Sequence, residues 1–203
     1  TTTTNAVLER HLCKTGLITT MGFRDVLELG RRTRPQAYGM KGEFKPIIPR
    51  DLRLEVPERM DASGQVLTTL DEDALRTALK ALIAVDCEAL VIHFLHAYAN
   101  PAHELRAEEI AREIWPNENI TLGHALLSES REYERGVTAA VNASVQPLLR
   151  RYVEQVAGEM RDVAGETRQQ SDALQQVMSG LDELSELTRS NADMVAESVM
   201  AAE

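Results

Sequence analysis

Residues suited to metal binding or proton transfer crowd one short stretch: His93, His96, His103 and Glu104. Imidazole and carboxylate are common ligands of zinc and related ions, so H-x2-H-x6-H-E has the composition of a metal cluster. The spacing opposes that reading. His93 and His96 are three apart, and side chains along a strand alternate faces, so on a strand the two point away from each other. Both reach one ion only if the strand ends between them. Packing or loop hydrogen bonding is the expected use of these histidines, and no metal site is expected. His96-Ala-Tyr98-Ala-Asn100-Pro101 falls where an apolar run stops and a helical pattern begins. In an open α/β sheet, that is the end where ligands bind. Asn100 either caps the helix or faces the crevice. His103 and Glu104 lie in the first helical turn and can face the same crevice, although an acid there also suits the helix dipole.

A second charged group is Glu129-Ser-Arg-Glu-Tyr-Glu-Arg135, with three acids and two arginines. On a helix Arg131 and Arg135 share a face, and Glu132 can pair with Arg135. One reading is a solvated, salt-bridged surface. The other is the polar edge of a site, where guanidinium groups grip a carboxylate or phosphate and a carboxylate acts as base. The opening TTTTN offers hydroxyls and an amide for phosphate or carbonyl contacts. The G-x-x-x-x-G-K-[ST] and G-x-G-x-x-G phosphate loops and the G-x-S-x-G elbow do not occur in these residues.

The elements expected to position these groups alternate strand and helix. Lys14–Thr20 and the apolar run CEALVIHFLHAY read as strands, the latter buried on both faces. GFRDVLELGRR has helical spacing at Phe23, Val26 and Leu27. Arg31–Pro49, with three prolines, reads as an extended loop. LRLEVPERM and QVLTTL flank Asp61-Ala-Ser-Gly64 as a hairpin. Asp71-Glu-Asp73 opens a helix carrying Leu75, Leu79 and Leu82 on one face. A helix follows over 102–115, ITLGHALL is a further strand candidate, and a long helix starts at Glu132. The alternation predicts an α/β fold with a largely parallel sheet and flanking helices, plus a long C-terminal helix.

The chain has 203 residues, 43% hydrophobic and 27% charged, with a net charge of −10. It can bury a core, and its acidity argues against a nucleic-acid surface. Two cysteines without a CxxC pair fit a reducing, cytoplasmic setting. No apolar run approaches the ~20 residues of a membrane span, and the opening lacks a signal-peptide pattern. Composition changes near residue 155: the last lysine is Lys80, the last proline Pro147 and the last aromatic Tyr152. Two domains are expected, residues 1–157 and 158–203.

Taken together, TTTTNAVLER, GLITTMGFRDVLELGRRTRP, KPIIPRDLRLEVPERMDASGQVLTTLDEDAL, HFLHAYANPAHE and REYERGVTAAVNASVQPLL resemble the N-terminal region of the hydantoinase A/5-oxoprolinase family over about residues 1–155. The resemblance implies part of an actin-like ATPase-type fold and an ATP-dependent amidohydrolase that opens cyclic amides or imides such as hydantoins or 5-oxoproline. Ketone carboxylases are close relatives. It also implies ATP, with Mg2+ as an accompanying ion, and a B-type partner subunit. ATP would phosphorylate the amide or enol oxygen and so activate it. Matching its motifs are Thr3, Thr4 and Asn5 for the cofactor, then Arg24 and Asp25. His96, Asn100, His103, Glu104, Arg131, Glu132 and Arg135 match as candidate catalytic residues. The family's D-x-G-G-T-x-T-D-like phosphate loop is not in these residues, and His124-Ala125 stands where Ser-Glu is usual. A fragment that is inactive by itself is therefore expected.

The tail carries a heptad seam, Leu174, Val177, Leu181, Leu184, Thr188, Asn191, Val195, Ser198 and Ala202, spaced alternately by three and four. Such a helix requires a partner helix in water, so self-association through the tail is expected. ETRQQSDALQQVMSGLDELSELTRSNADMVAESVMAAE resembles the signalling helix of methyl-accepting chemotaxis proteins. A signalling or interaction protein is the alternative function that this resemblance implies.

Overall fold

A computed structural model gives the fold and describes residues 2–30 and 45–200. Of the expected Arg31–Pro49 loop, residues 31–44 lie outside the described residues, as do the side chains of Val195, Ser198 and Ala202 in the heptad seam. The elements are α1 (Thr2–Leu8), β1 (Thr15–Thr20), α2 (Val26–Leu29), β2 (Arg53–Val56), β3 (Arg59–Met60), β4 (Val66–Thr68), α3 (Glu72–Ala84), β5 (Ala89–His93), α4 (Ala102–Ile114), β6 (Ile120–Leu122), α5 (Gly123–Leu126) and α6 (Glu132–Met200). By internal contacts the chain divides into Thr1–Arg151 and Tyr152–Glu203.

In the first unit the sheet order is β2-β1-β5-β6, and every pairing is parallel. Leu17 of β1 is in register with Arg53 on one side and Val91 on the other. The chain leaves β1 towards β2, but leaves β5 towards β6. The winding direction therefore reverses between the adjacent strands β1 and β5, and a crevice opens beyond their carboxyl ends. Every residue of β1 and β5 is buried, as a parallel strand covered on both faces requires.

The helices close the core for identifiable reasons. Asp71 caps α3 by accepting the Ala74 N–H at 2.9 Å, and Leu75, Leu79 and Leu82 are buried beneath the helix. The start of α6 buries Gly136, Ala139, Ala140 and Ala143, a stripe of small residues at helical spacing that lets its backbone lie close to its neighbours. Pro147 sits inside α6 and has no N–H to give the Ala143 carbonyl four residues back. The Cys13 thiol donates to that carbonyl at 3.6 Å, and the Cys13 N–H donates to the Ser144 carbonyl at 3.0 Å. The residues just before β1 are thus tied to α6 where the proline frees the backbone.

Four expected elements differ in extent, the first being the strand over CEALVIHFLHAY, which stops at His93. The helix over GFRDVLELGRR is described only as the single turn α2. LRLEV is no hairpin arm. It forms the parallel strand β2, and the hairpin is reduced to β3 and β4, because Pro57 breaks the run between them. The strand expected over ITLGHALL stops at Leu122 and turns into α5. In the second unit, α6 continues with Leu174, Leu181, Leu184 and Leu187 each at least 60% exposed.

The close seat of α6 is testable. A Cβ at Gly136 would stand 3.0 Å from the His93 ring and 3.1 Å from Leu27, while one at Gly158 would meet nothing within 4 Å. Gly136→Val is therefore expected to destabilise the first unit by about 1–3 kcal/mol in urea unfolding. Gly158→Ala is expected to raise helicity by up to ~1 kcal/mol.

Candidate functional site

The site grows out of the end of β5. Beyond His93 the chain continues through Phe94 and Leu95, where the neighbouring strands no longer supply ladder partners. Their buried backbone groups still need hydrogen bonds. Phe94 N–H donates to Glu104 Oε1 at 2.8 Å, and Phe94 C=O accepts from Arg135 Nη2 at 3.1 Å. Leu95 N–H donates to Thr20 Oγ1 at 2.9 Å, bridging the ends of β5 and β1 across the crevice. Glu104 and Arg135 are both fully buried, held there by this backbone demand.

Around Arg135 a polar cluster forms. Its Nη1 donates to the Glu129 carbonyl at 2.8 Å, and its guanidinium lies 5.4 Å from the Tyr98 ring centre. Glu132 Oε1 stands 3.7 Å from Arg135 Nη2 and 3.8 Å from His96 Nδ1. His96 is in the left-handed region, φ 57°, a costly conformation for a residue with a Cβ, and it meets Tyr98 edge-on. Three buried atoms here have no hydrogen-bond partner: His96 Nδ1, Glu132 Oε1 and Arg135 Nε. The Glu132 contacts are too long for hydrogen bonds, so an oxygen placed between these groups would bond several of them.

Two buried carboxylates flank the cluster, each holding an imidazole. Glu104 Oε2 accepts the His124 N–H at 2.9 Å and meets His124 Nδ1 at 2.6 Å. Glu58 accepts from Thr20 Oγ1 and meets His103 Nδ1 at 2.7 Å. Both histidine side chains remain slightly exposed, 17% for His124 and 12% for His103, while the carboxylates are sealed. Each imidazole is fixed by its Nδ1, the arrangement used where the opposite nitrogen handles a proton.

The expected residues divide accordingly. His96, Glu132 and Arg135 come together, Glu104 joins them through Phe94, and His103 lies across the crevice on Glu58. Arg131 does not share a buried face with Arg135: α6 starts at Glu132, which leaves Arg131 before the helix and exposed. Asn100 is engaged locally. Its Nδ2 donates to the Gly64 carbonyl at 2.8 Å and its Oδ1 accepts the Ala102 N–H at 3.0 Å, pinning the hairpin turn to the start of α4. Arg24 and Asp25 lie near buried Arg53, which donates to the Arg24 carbonyl at 3.1 Å and to Glu28 at 2.6 Å. The Arg50 guanidinium on Asp25 holds that carboxyl below its usual range. Thr3, Thr4 and Asn5 lie on α1, and none of their described contacts reaches the cluster. Tyr98 and Glu58 were not singled out from sequence, and His124 was noted only as standing, with Ala125, where Ser-Glu is usual. Tyr98 stood inside a quoted motif, but no spacing rule pairs Glu58 with His103 or His124 with Glu104.

The strand does end between His93 and His96, so the two-face argument against a shared ion falls away. Burial separates them instead. His93 is enclosed by Gly123 and Gly136, where a Cβ would come within 2.6 Å and 3.0 Å of its ring. Among the described residues, no group of three or more His, Cys, Asp or Glu is placed to hold a metal ion.

Burial pushes the His93 pKa from 6.5 down to about 4; the nearby Glu104 charge resists this fall and the Arg135 charge adds to it. The folded protein keeps His93 neutral where an unfolded chain would protonate it. Its contribution to stability is complete above pH 6.5 and is lost as the pH falls from there to about 4, by up to ~3 kcal/mol. His93→Gln is expected to flatten the decline in urea-unfolding free energy between pH 7 and pH 4.5 relative to the parent chain.

The chain has counterparts among known proteins. The family model described as Hydantoinase/oxoprolinase N-terminal region matches residues 1–115. The acetophenone carboxylase gamma subunit of Aromatoleum aromaticum is 35% identical over 156 residues, covering 70% of this chain and 21% of that protein. The caprolactamase alpha subunit of Pseudomonas jessenii is 31% identical over 155 residues, covering 75% of this chain and 22% of that protein. The nucleotide-free structure of acetone carboxylase superposes with a TM-score of 0.71 at 27% identity, covering 80% of this chain and 25% of that one. The chain thus spans about a fifth of the length of the curated relatives it matches. On the family match over more than half its length, the chain belongs to the hydantoinase/oxoprolinase N-terminal region family.

Proposed function

We propose that this chain supplies one part of an ATP-dependent enzyme that activates an amide or ketone carbonyl, of which opening a cyclic amide or imide is the principal form. The observation that carries this reading is the group of unpartnered buried atoms on His96, Glu132 and Arg135, at the crevice where the sheet reverses direction. Acid–base groups and a fixed positive charge in one partly dry recess suit a carbonyl oxygen that gains negative charge. In this reading His96 transfers the proton, Glu132 balances the charge His96 gains, and Arg135 supplies positive charge. ATP supplies the activating phosphoryl group. Thr3, Thr4 and Asn5 offer donors to its phosphates, and the complete enzyme is read as an assembly with a partner subunit.

Residues 1–203 alone are expected to release no ADP with 5-oxoproline, caprolactam, hydantoin or acetone. In an assembly containing this chain, at least one of them should stimulate ADP release, and stimulation by none would overturn the reading. In that assembly Glu132→Gln should lower kcat by about 10²-fold with little change in KM. An unchanged kcat would remove Glu132 from its role.

The exposed leucines of the second unit favour an additional role as a helix-pairing segment, in line with its resemblance to a chemotaxis signalling helix. A peptide of residues 158–203 should gain helicity with concentration at physiological ionic strength, where its acidic charge is screened. A peptide that stays coil would remove this role.

A further inference from the structure

Two adjoining cavities lie among residues that the site above does not use. The first, about 210 Å³, has mainly apolar walls from Val7, Leu27, Tyr133, Val137 and Ala140. The second, about 680 Å³, is lined by five cations, Arg10, Lys14, Lys45, Arg50 and Arg53, against the carboxylates Glu28 and Asp51. The two share Arg10, Leu12, Lys45 and Ile47 in their walls, so the cationic cleft opens onto the apolar pocket.

The charge in this cleft is only partly spent. Arg50 is paired with Asp25 and Arg53 with Glu28. Arg10 donates to the Lys45 carbonyl at 2.8 Å and has no carboxylate partner among the described residues. Lys14 and Lys45 likewise have none among them. This local excess of positive charge stands in a chain of net charge −10. Arg53, fully buried in the wall of the same cleft, has an Nε without a hydrogen-bond partner. A buried guanidinium nitrogen left unpaired, beside unpaired cations at the mouth of an apolar pocket, is the signature of an absent anionic group.

We infer that these cavities form a binding site for a small amphiphilic anion: a carboxylate or phosphate head among Arg10, Lys14 and Lys45, with a single-ring apolar body between α1, α2 and α6. The smaller cavity is close to the ~150 Å³ that accommodates a benzene ring. The inference does not rest on the carbonyl-activation reading, since binding needs neither ATP nor turnover.

The test is calorimetric titration of the 203-residue chain with phenyl phosphate, benzoate, inorganic phosphate and benzyl alcohol. Phenyl phosphate or benzoate should bind at least ~10-fold more tightly than either inorganic phosphate or benzyl alcohol, because each control lacks one half of the match. Whichever of the two binds better identifies the head group. The double variant Arg10→Gln/Lys14→Gln changes exposed side chains and should fold as the parent does by circular dichroism. It should weaken that ligand by about 10-fold. Val137→Glu should weaken it while leaving inorganic phosphate unchanged. No binding of either amphiphile at millimolar concentration, equal binding of inorganic phosphate, or an affinity that survives the double variant would each overturn the inference.

Discussion

Strand β5 runs on past its neighbours, and the polar backbone it carries into the protein has to be satisfied. Most of the candidate site follows from that constraint. Phe94 receives a carboxylate on its N–H and a guanidinium on its C=O; Leu95 receives the Thr20 hydroxyl. Side chains that burial would ordinarily exclude are therefore fixed in the interior, because leaving a buried amide or carbonyl unpaired costs more than a hydrogen bond normally returns. The same contacts stitch four segments together: β1 through Thr20, α4 through Glu104, α6 through Arg135, and the turn after β6 through His124 on Glu104.

Charge buried for structural reasons becomes useful when its remaining valences are left open. Arg135 spends two nitrogens on carbonyls and keeps Nε free; Glu132 Oε1 sits beyond hydrogen-bond range of both Arg135 and His96. His96 is held in a conformation that most residues avoid. A fully satisfied network would only rigidify the fold. This one is rigid at its base and incomplete at its edge, the distribution expected where another molecule finishes the pattern.

The strands and the capped helices were legible in the sequence because each depends on local signals. Helix α3 opens at Asp71 and helix α4 just after Asn100-Pro101, as the residues place them, whereas β5 stops at His93, short of the Tyr98 to which its apolar run extends. Extents were less legible: Pro57 turned an expected hairpin arm into a parallel strand, and Leu122 gave way to a helical turn. For the site, the motif stretches pointed to His96, Glu132 and Arg135, yet the reason they assemble is tertiary. Glu58 meets His103 across 45 positions of chain, and Glu104 meets His124 across 20, distances over which no periodicity operates. The burial that separates His93 from His96 depends on two glycines from α5 and α6, again invisible to spacing.

The tie between Cys13 and the carbonyl freed by Pro147 joins positions 130 residues apart. During synthesis at ~5–20 residues per second, the segment leading into β1 must wait on the order of ten seconds before its anchor emerges from the ribosome. For that interval the central strands of the sheet are made but uncovered on the side that the small-residue stripe of α6 will seal. In a growing chain those apolar faces are most open to stray contacts between completion of β5 and arrival of residue 147.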